Sequence, residues 1–213
     1  MKIKTILIVK LYILIGITFF IISSQSADIP VQLTSSVKNL KYWIVESEDN
    51  QHLPFIIVDK KKFTVYVFEQ DGKIIAATSS LIGRTIGDDN APGIGQKRLA
   101  DITINERTTP AGRFEGSLGL NEEGKEILWI DYDLDLSLHS VVTTNPAEHR
   151  LQRLASSHQA DHRITYGCIN VPKQFYKEHI QLRFKHTKVI VYILPEVHSV
   201  QEIFGSDAAK YSN

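Results

Sequence analysis

Leu134-Asp135-Leu136-Ser137-Leu138-His139 alternates leucine with a polar residue, and that period of two is the pattern of a half-buried β-strand. Successive strand side chains point to opposite faces, so His139 falls on the face opposite the leucines if the strand continues through it. It ends the run, where a side chain can reach a site. Upstream, Ile127 to Asp131 is a second apolar strand, and Thr109-Pro110-Ala111-Gly112-Arg113-Phe114 is a turn feeding another. Nearer the N-terminus, Phe55-Ile56-Ile57-Val58 is a short apolar run. Phe63, Val65 and Val67 then alternate with Thr64, Tyr66 and Phe68, and Gln70-Asp71-Gly72 turns the chain into Lys73 to Thr78. This is a β meander. Lys188 to Leu194 forms a final strand, stopped by Pro195.

Two helices interrupt the strands. Asn145 can cap one, with Pro146 at its first position and Glu148 closing a capping box. Ala147, Leu151, Leu154 and Ala155 share its apolar face, and it fades at Ser156-Ser157. Pro172 opens the other, which runs to about Phe184. Gly83 to Gly95 is a loop, and its Asp88-Asp89-Asn90 reads as solvated because no EF-hand spacing accompanies it. The expected fold is therefore mainly β with a few helices. Arg113 and Glu115 read as surface charges on a strand.

The 213 residues suffice for one domain plus an export segment. Lys2, Lys4 and Lys10 precede or interrupt an apolar run, Leu11 to Ile22 carries no charge, and Ser23-Ser24-Gln25-Ser26-Ala27 follows. That order is the order of a secretory signal peptide, with an uncleaved anchor as the alternative. The apolar run is short for a membrane span. The organisation expected is residues 1–26 as signal or anchor, 27–53 as a loosely packed lead-in, 54–196 as the main folded domain and 197–213 as a frayed tail. A formal net charge of zero gives no electrostatic argument for nucleic acid or for an anionic membrane surface.

The chain has a single cysteine, Cys168. In an oxidising compartment structural cysteines usually come in pairs, so a lone thiol is inert, paired to another chain, or reactive. Its surroundings are Thr165-Tyr166-Gly167-Cys168-Ile169-Asn170-Val171. Gly167 lets the backbone before the thiol approach a substrate without Cβ interference. A helix beginning near Pro172 is expected to lower the thiol pKa through its N-terminus. The Gly167 and Cys168 N–H groups are expected to face a developing oxyanion. A cysteine nucleophile also needs a base, and His139 is the choice among eight histidines because it ends a patterned strand. His149 competes from within the expected helix. His158 and His162, four apart, lack a third zinc ligand of known spacing.

His139-Ser140 followed by Thr165-Tyr166-Gly167-Cys168-Ile169-Asn170 resembles the signature of the YkuD-type L,D-transpeptidases: a histidine, a spacer, then Ser/Thr-His-Gly-Cys, a hydrophobic residue, and Asn or Arg. Thr109 to Phe114 resembles a strand entry of the same family, and the likeness runs from about Pro54 to Pro195. It implies the family's β-sandwich-type catalytic fold. It also implies that Cys168 attacks the carbonyl of the third residue of a peptidoglycan stem peptide, expelling D-alanine. The thioester then passes to an acceptor amine. His139 would be the base and Ser140 would orient it through its backbone carbonyl. Thr165 would support the site, Gly167 and Cys168 would supply the oxyanion donors, and Asn170 would hold the loop. Arg163 is a weaker candidate for a substrate carboxylate. No metal or organic cofactor is implied. The chain departs from the family at Tyr166, where a histidine is usual. Its spacer is also longer, and His149 would restore the usual length. Water as acceptor (an L,D-carboxypeptidase), a protein lysine as acceptor, and a non-catalytic wall-binding module stay open as alternatives.

Overall fold

The computed structural model describes residues 32–211, so the expected signal or anchor lies outside the described residues. The elements in chain order are α1 (Ser35–Ser47), β1 (Phe55–Asp59), β2 (Thr64–Phe68), β3 (Ile74–Ser79), β4 (Ile82–Gly83), β5 (Gly112–Leu120), β6 (Glu126–Asp131), β7 (Leu136–Ser140), α2 (Arg150–Leu154), β8 (Arg163–Thr165), β9 (Ile169–Val171), α3 (Lys173–Phe175, widening into π turns through Gln181), β10 (Val189–Ile193), α4 (Val200–Phe204) and α5 (Ser206–Ala209).

Eight strands make one mixed sheet in the order β3-β2-β1-β10-β5-β6-β7-β9. The long strand β5 serves two neighbours. Its residues 112–116 pair with β10 and its residues 117–120 pair with β6. The sheet is thereby two halves sharing one strand, folded over a common core. Ile56, Val58, Val65, Val67, Val189 and Val191 from one half meet Leu128, Ile130, Leu136, Leu138, Ile169 and Val171 from the other. Phe175, Tyr176, Ile180 and Phe184 of the α3 segment complete that core. The alternate residues of the first half, Phe55, Ile57, Tyr66, Phe68, Ile190 and Tyr192, face a second cluster under α1 and α4–α5. Both faces of β1 and β10 are thus buried, which is why they read as unbroken apolar runs rather than alternations. The mainly β class expected from the sequence is the class observed.

Several local expectations fail for identifiable reasons. The lead-in is not loosely packed. Thr34 Oγ1 accepts from Val37 N at 3.3 Å and caps α1, whose Val37, Leu40, Trp43 and Ile44 are buried. The tail is not frayed either: Ser199 and Glu202 form a capping box on α4, and Ala208 of α5 is buried in the second cluster. The strand proposed from Leu134 begins at Leu136, because Asp131 Oδ1 accepts from Asp133 N (2.9 Å) and Leu134 N (3.1 Å) and turns the chain there. The helix proposed from Asn145 is broken. Asn145 does cap a single turn, Pro146–Glu148, but His149 adopts left-handed backbone angles (φ 49°) and α2 starts only after it. Glu148 pairs with Arg150 instead of closing a capping box.

Burying an indole against the sheet stabilises far more than a flexible lead-in could. Trp43→Ala is expected to cost about 3 kcal/mol, read as a lowered urea midpoint; an unchanged midpoint would show that α1 is not part of the fold.

Candidate active site

β7 and β9 run parallel and side by side, with Leu138 opposite Ile169, His139 opposite Asn170 and Ser140 opposite Val171. The period of two then sorts both strands at once. Leu136, Leu138, Ile169 and Val171 enter the core, while Ser137, His139, Cys168 and Asn170 share the other face. Leu81 pairs with Asn170 on the far side of β9, with backbone bonds of 2.8 Å in both directions.

On that face the Ser137 hydroxyl donates to Cys168 Sγ at 3.3 Å, and the thiol donates to the Asp135 carbonyl at 3.4 Å. His139 Nδ1–H donates to the Ser140 carbonyl at 2.9 Å. Its Nε2 accepts from Asn170 Nδ2 at 3.1 Å. That tautomer follows from the neighbours: Arg150 Nη1 donates to Asn170 Oδ1 at 2.7 Å, which turns the amide NH2 toward the ring. The sulfur and the imidazole each have other partners here and are not hydrogen-bonded to one another.

The nucleophile loop is held from below. Thr165 Oγ1 donates to the Cys168 carbonyl (2.7 Å) and accepts from Gly167 N (3.2 Å). Thr109 Oγ1 donates to the Gly167 carbonyl (2.6 Å) and accepts from Gly83 N (2.8 Å). Gly167 has φ +144°, and a Cβ there would stand 3.0 Å from the Thr108 carbonyl, so no other residue fits without strain. The Gly167 N–H expected to face an oxyanion is engaged by Thr165 instead.

The helix expected to lower the thiol pKa does not reach it. Strand β9 follows Cys168 and α3 starts only at Lys173, so no helix N-terminus points at the sulfur. Burial pushes the Cys168 thiol up, only partly offset by the hydrogen bond from Ser137. Burial also pushes the His139 imidazole down; the Ser140 carbonyl opposes this, and the positive charges of Arg150 and Lys125 add to it. At neutral pH the resting pair is therefore thiol and neutral imidazole.

A segment of three single turns, Ile94–Gln96, Leu99–Asp101 and Ile104–Glu106, lies over the sulfur. Ile94, Leu99 and Ile102 of this strap, with Pro110, Leu136 and Tyr166, line a space of about 40 Å³ at Cys168. That is room for about one water molecule. Gly95 lets the strap lie directly on the Asp133 carbonyl, where a Cβ would collide. Arg107 ends the strap with its guanidinium 3.9 Å above the Tyr166 ring, a cation–π contact. A larger depression of about 420 Å³ near Phe63 and Leu154 contains no cysteine. Its His162 is stacked on Phe63 and has one ring nitrogen on the Ser80 carbonyl and the other on the Ser156 carbonyl.

The remaining proposed residues fall elsewhere. Arg163 is not open to a substrate carboxylate, because its guanidinium pairs with Glu196 and donates to the Gly83 carbonyl. His149 is exposed at the break between Glu148 and Arg150. Asp88 is not solvated. It is buried against Lys60 (2.6 Å) and accepts from the backbone N–H groups of Glu196, Val197 and His198. Burial alone would raise its carboxyl; Lys60 and those three donors outweigh it and hold the group at about 2. Lys60, wholly buried, also donates to the carbonyls of Gly87 (2.6 Å) and Thr109 (2.8 Å). Sequence reasoning missed Lys60 because it opens a Lys60-Lys61-Lys62 run that reads as surface. It missed Ser137, although the period that selected His139 puts Ser137 on the same face. Arg150 gave no signal at all.

The solved structures that this chain is similar to include L,D-transpeptidases and a helical cell shape determining protein. They include the helical cell shape determining protein Pgp2 (K307A mutant) from Campylobacter jejuni, 16% identical, TM-score 0.45, covering 85% of this chain and 61% of that one. The catalytic domain from E. faecium L,D-transpeptidase is 21% identical, with TM-score 0.37, over 66% of this chain and 98% of that one. L,D-transpeptidase from Mycobacterium smegmatis is 12% identical, with TM-score 0.39, over 67% and 58%. The chain thus spans about three fifths of the length of the Campylobacter jejuni protein. No family model matches the chain. No curated protein matches it either.

Two measurements check this site. Alkylation of native Cys168 by iodoacetamide is expected to rise with pH about a midpoint above the ordinary thiol value of 9.0, and Ser137→Ala to move that midpoint higher still. A midpoint below 9.0 would mean that the site lowers the thiol pKa rather than raising it. Lys60→Met leaves Asp88 buried without its cation and is expected to destabilise the fold by about 3–5 kcal/mol in chemical denaturation.

Proposed function

We propose that this chain is a peptidoglycan L,D-transpeptidase, a cysteine acyltransferase that needs no metal or organic cofactor. The observation that supports this best is the shared polar face of β7 and β9, which carries a thiol, its hydroxyl donor Ser137 and a neutral imidazole held by Ser140 and Asn170. His139 takes the proton from Cys168 as the thiolate forms its bond to the carbonyl of the third stem residue. The tetrahedral intermediate collapses to a thioester, and the imidazolium returns its proton to the departing D-alanine amine. An acceptor amine then attacks the thioester, His139 removes its excess proton, and the thiol is regenerated. Water in place of the amine gives carboxypeptidase turnover on the same path.

Because the space at Cys168 is about 40 Å³, a stem peptide reaches the sulfur only when the Ile94–Glu106 strap is displaced. Tyr166 then presents a phenol and an aromatic face at the mouth, in place of a second imidazole. The N-terminal basic and apolar segment carries the chain to the cell envelope, where the substrate is.

Incubating the protein with purified tetrapeptide muropeptides and reading the products by mass spectrometry tests this. D-alanine release, a thioester on Cys168 and a cross-linked dimer are expected. Cys168→Ala is expected to abolish all three, and unchanged turnover in that variant would end the reading.

A further inference from the structure

Among the described residues, Asn170 is the one side chain hydrogen-bonded to His139 Nε2, and its amide has two ends. The NH2 end suits a neutral imidazole whose proton is on Nδ1. The carbonyl end suits an imidazolium, whose Nε2–H needs an acceptor. Nothing in the ring itself chooses between them. Arg150 chooses, because a guanidinium only donates: its Nη1 takes Asn170 Oδ1 at 2.7 Å and leaves Nδ2 to face the ring. Glu148 holds the other edge of the guanidinium, accepting from Nε at 2.6 Å. Asn170 is 1% exposed and the Arg150 side chain 13%, so both hydrogen bonds are sheltered from water.

We propose that Arg150 is a positioning residue for the base: by fixing the Asn170 amide it keeps His139 neutral, in the tautomer that the Ser140 carbonyl sets at Nδ1. The two charged groups lie in the segment that lengthens the spacer between the two motifs, so the insertion has a chemical task. When the thiol proton arrives at Nε2 it meets a donor, and the amide must yield. The imidazolium is therefore short-lived, and its proton is readily passed to the leaving amine. The groups around the ring are Ser137 and Ser140 on its own strand, Asn170 on β9 with Cys168 just before that strand, Arg150 backed by Glu148, and Lys125 just ahead of β6.

The effect on rate rests on the acyl-transfer reading; the effect on the ring does not. The His139 imidazole is titrated by NMR in the wild type, Arg150→Met and Arg150→Lys, alongside kcat and KM for D-alanine release from a tetrapeptide. In Arg150→Met the ring is expected to titrate at higher pH and kcat to fall about tenfold with KM unchanged, the loss of one charge-assisted hydrogen bond. Arg150→Lys, still a donor to Oδ1, is expected to recover most of both. An unmoved titration in Arg150→Met, or a lysine variant as impaired as the methionine one, would overturn the proposal. Asn170→Asp provides a check independent of whether Arg150→Met folds: it puts an oxygen on Nε2, and a titration no higher than wild type would also overturn it. If the wild type releases no D-alanine, the acyl-transfer reading fails, while the titrations still decide the role of Arg150.

Discussion

The candidate site depends on one pairing, the parallel register of β7 with β9. With Leu138 opposite Ile169, every apolar side chain of both strands enters the core, while Ser137, His139 and Asn170 share the outer face. A slip of one residue would turn the sulfur inward and present Ile169 beside His139. The energy that holds the register comes from the leucines, isoleucine and valine below, each contributing roughly 1.5–3 kcal/mol by burial. The chemistry above contributes little to that register. Packing on one face therefore sets hydrogen-bond geometry on the other.

A second constraint acts from underneath. Lys60 is bonded to the Thr109 carbonyl, Thr109 to the Gly167 carbonyl, and Gly167 precedes the nucleophile. The same lysine binds Asp88, which receives the backbone N–H groups at the end of the last strand's exit. A buried cation thus joins the loop that leads into the strap, the Thr109 turn and the chain after Pro195 at a single point. Its burial is tolerated because carbonyls and a carboxylate satisfy every proton of the ammonium.

The parts legible in the sequence are those governed by short-range periodicity. The Leu134–Leu138 alternation located β7 and put His139 on the right face, and the apolar runs located β1, β6 and β10. Cys168 was legible because it is alone. What was not legible is what depends on distant partners. Lys60 looks like its neighbours Lys61 and Lys62 until the fold closes over it. Arg150 looks like any helix-surface arginine until it meets Asn170. The helix of residues 35–47 was within reach, since Val37, Leu40 and Ile44 have helical spacing behind a threonine cap. Asp131, which ends β6 by an Asx turn, explains why the β7 strand starts two residues later than alternation implies.

The position of β10 has a consequence for how the chain assembles. Strand β10, near the C-terminal end, lies between β1 and β5, both from the first part of the domain. The two halves of the sheet are not joined until residues 189–193 are in place, and β1 and β5 wait with open edges. Such long-range closure slows folding and raises the mean sequence separation of contacts. A nascent chain ending short of Val189 leaves the apolar strips of β1 and β5 uncovered and prone to aggregate. The last strand made is the one that locks the domain shut.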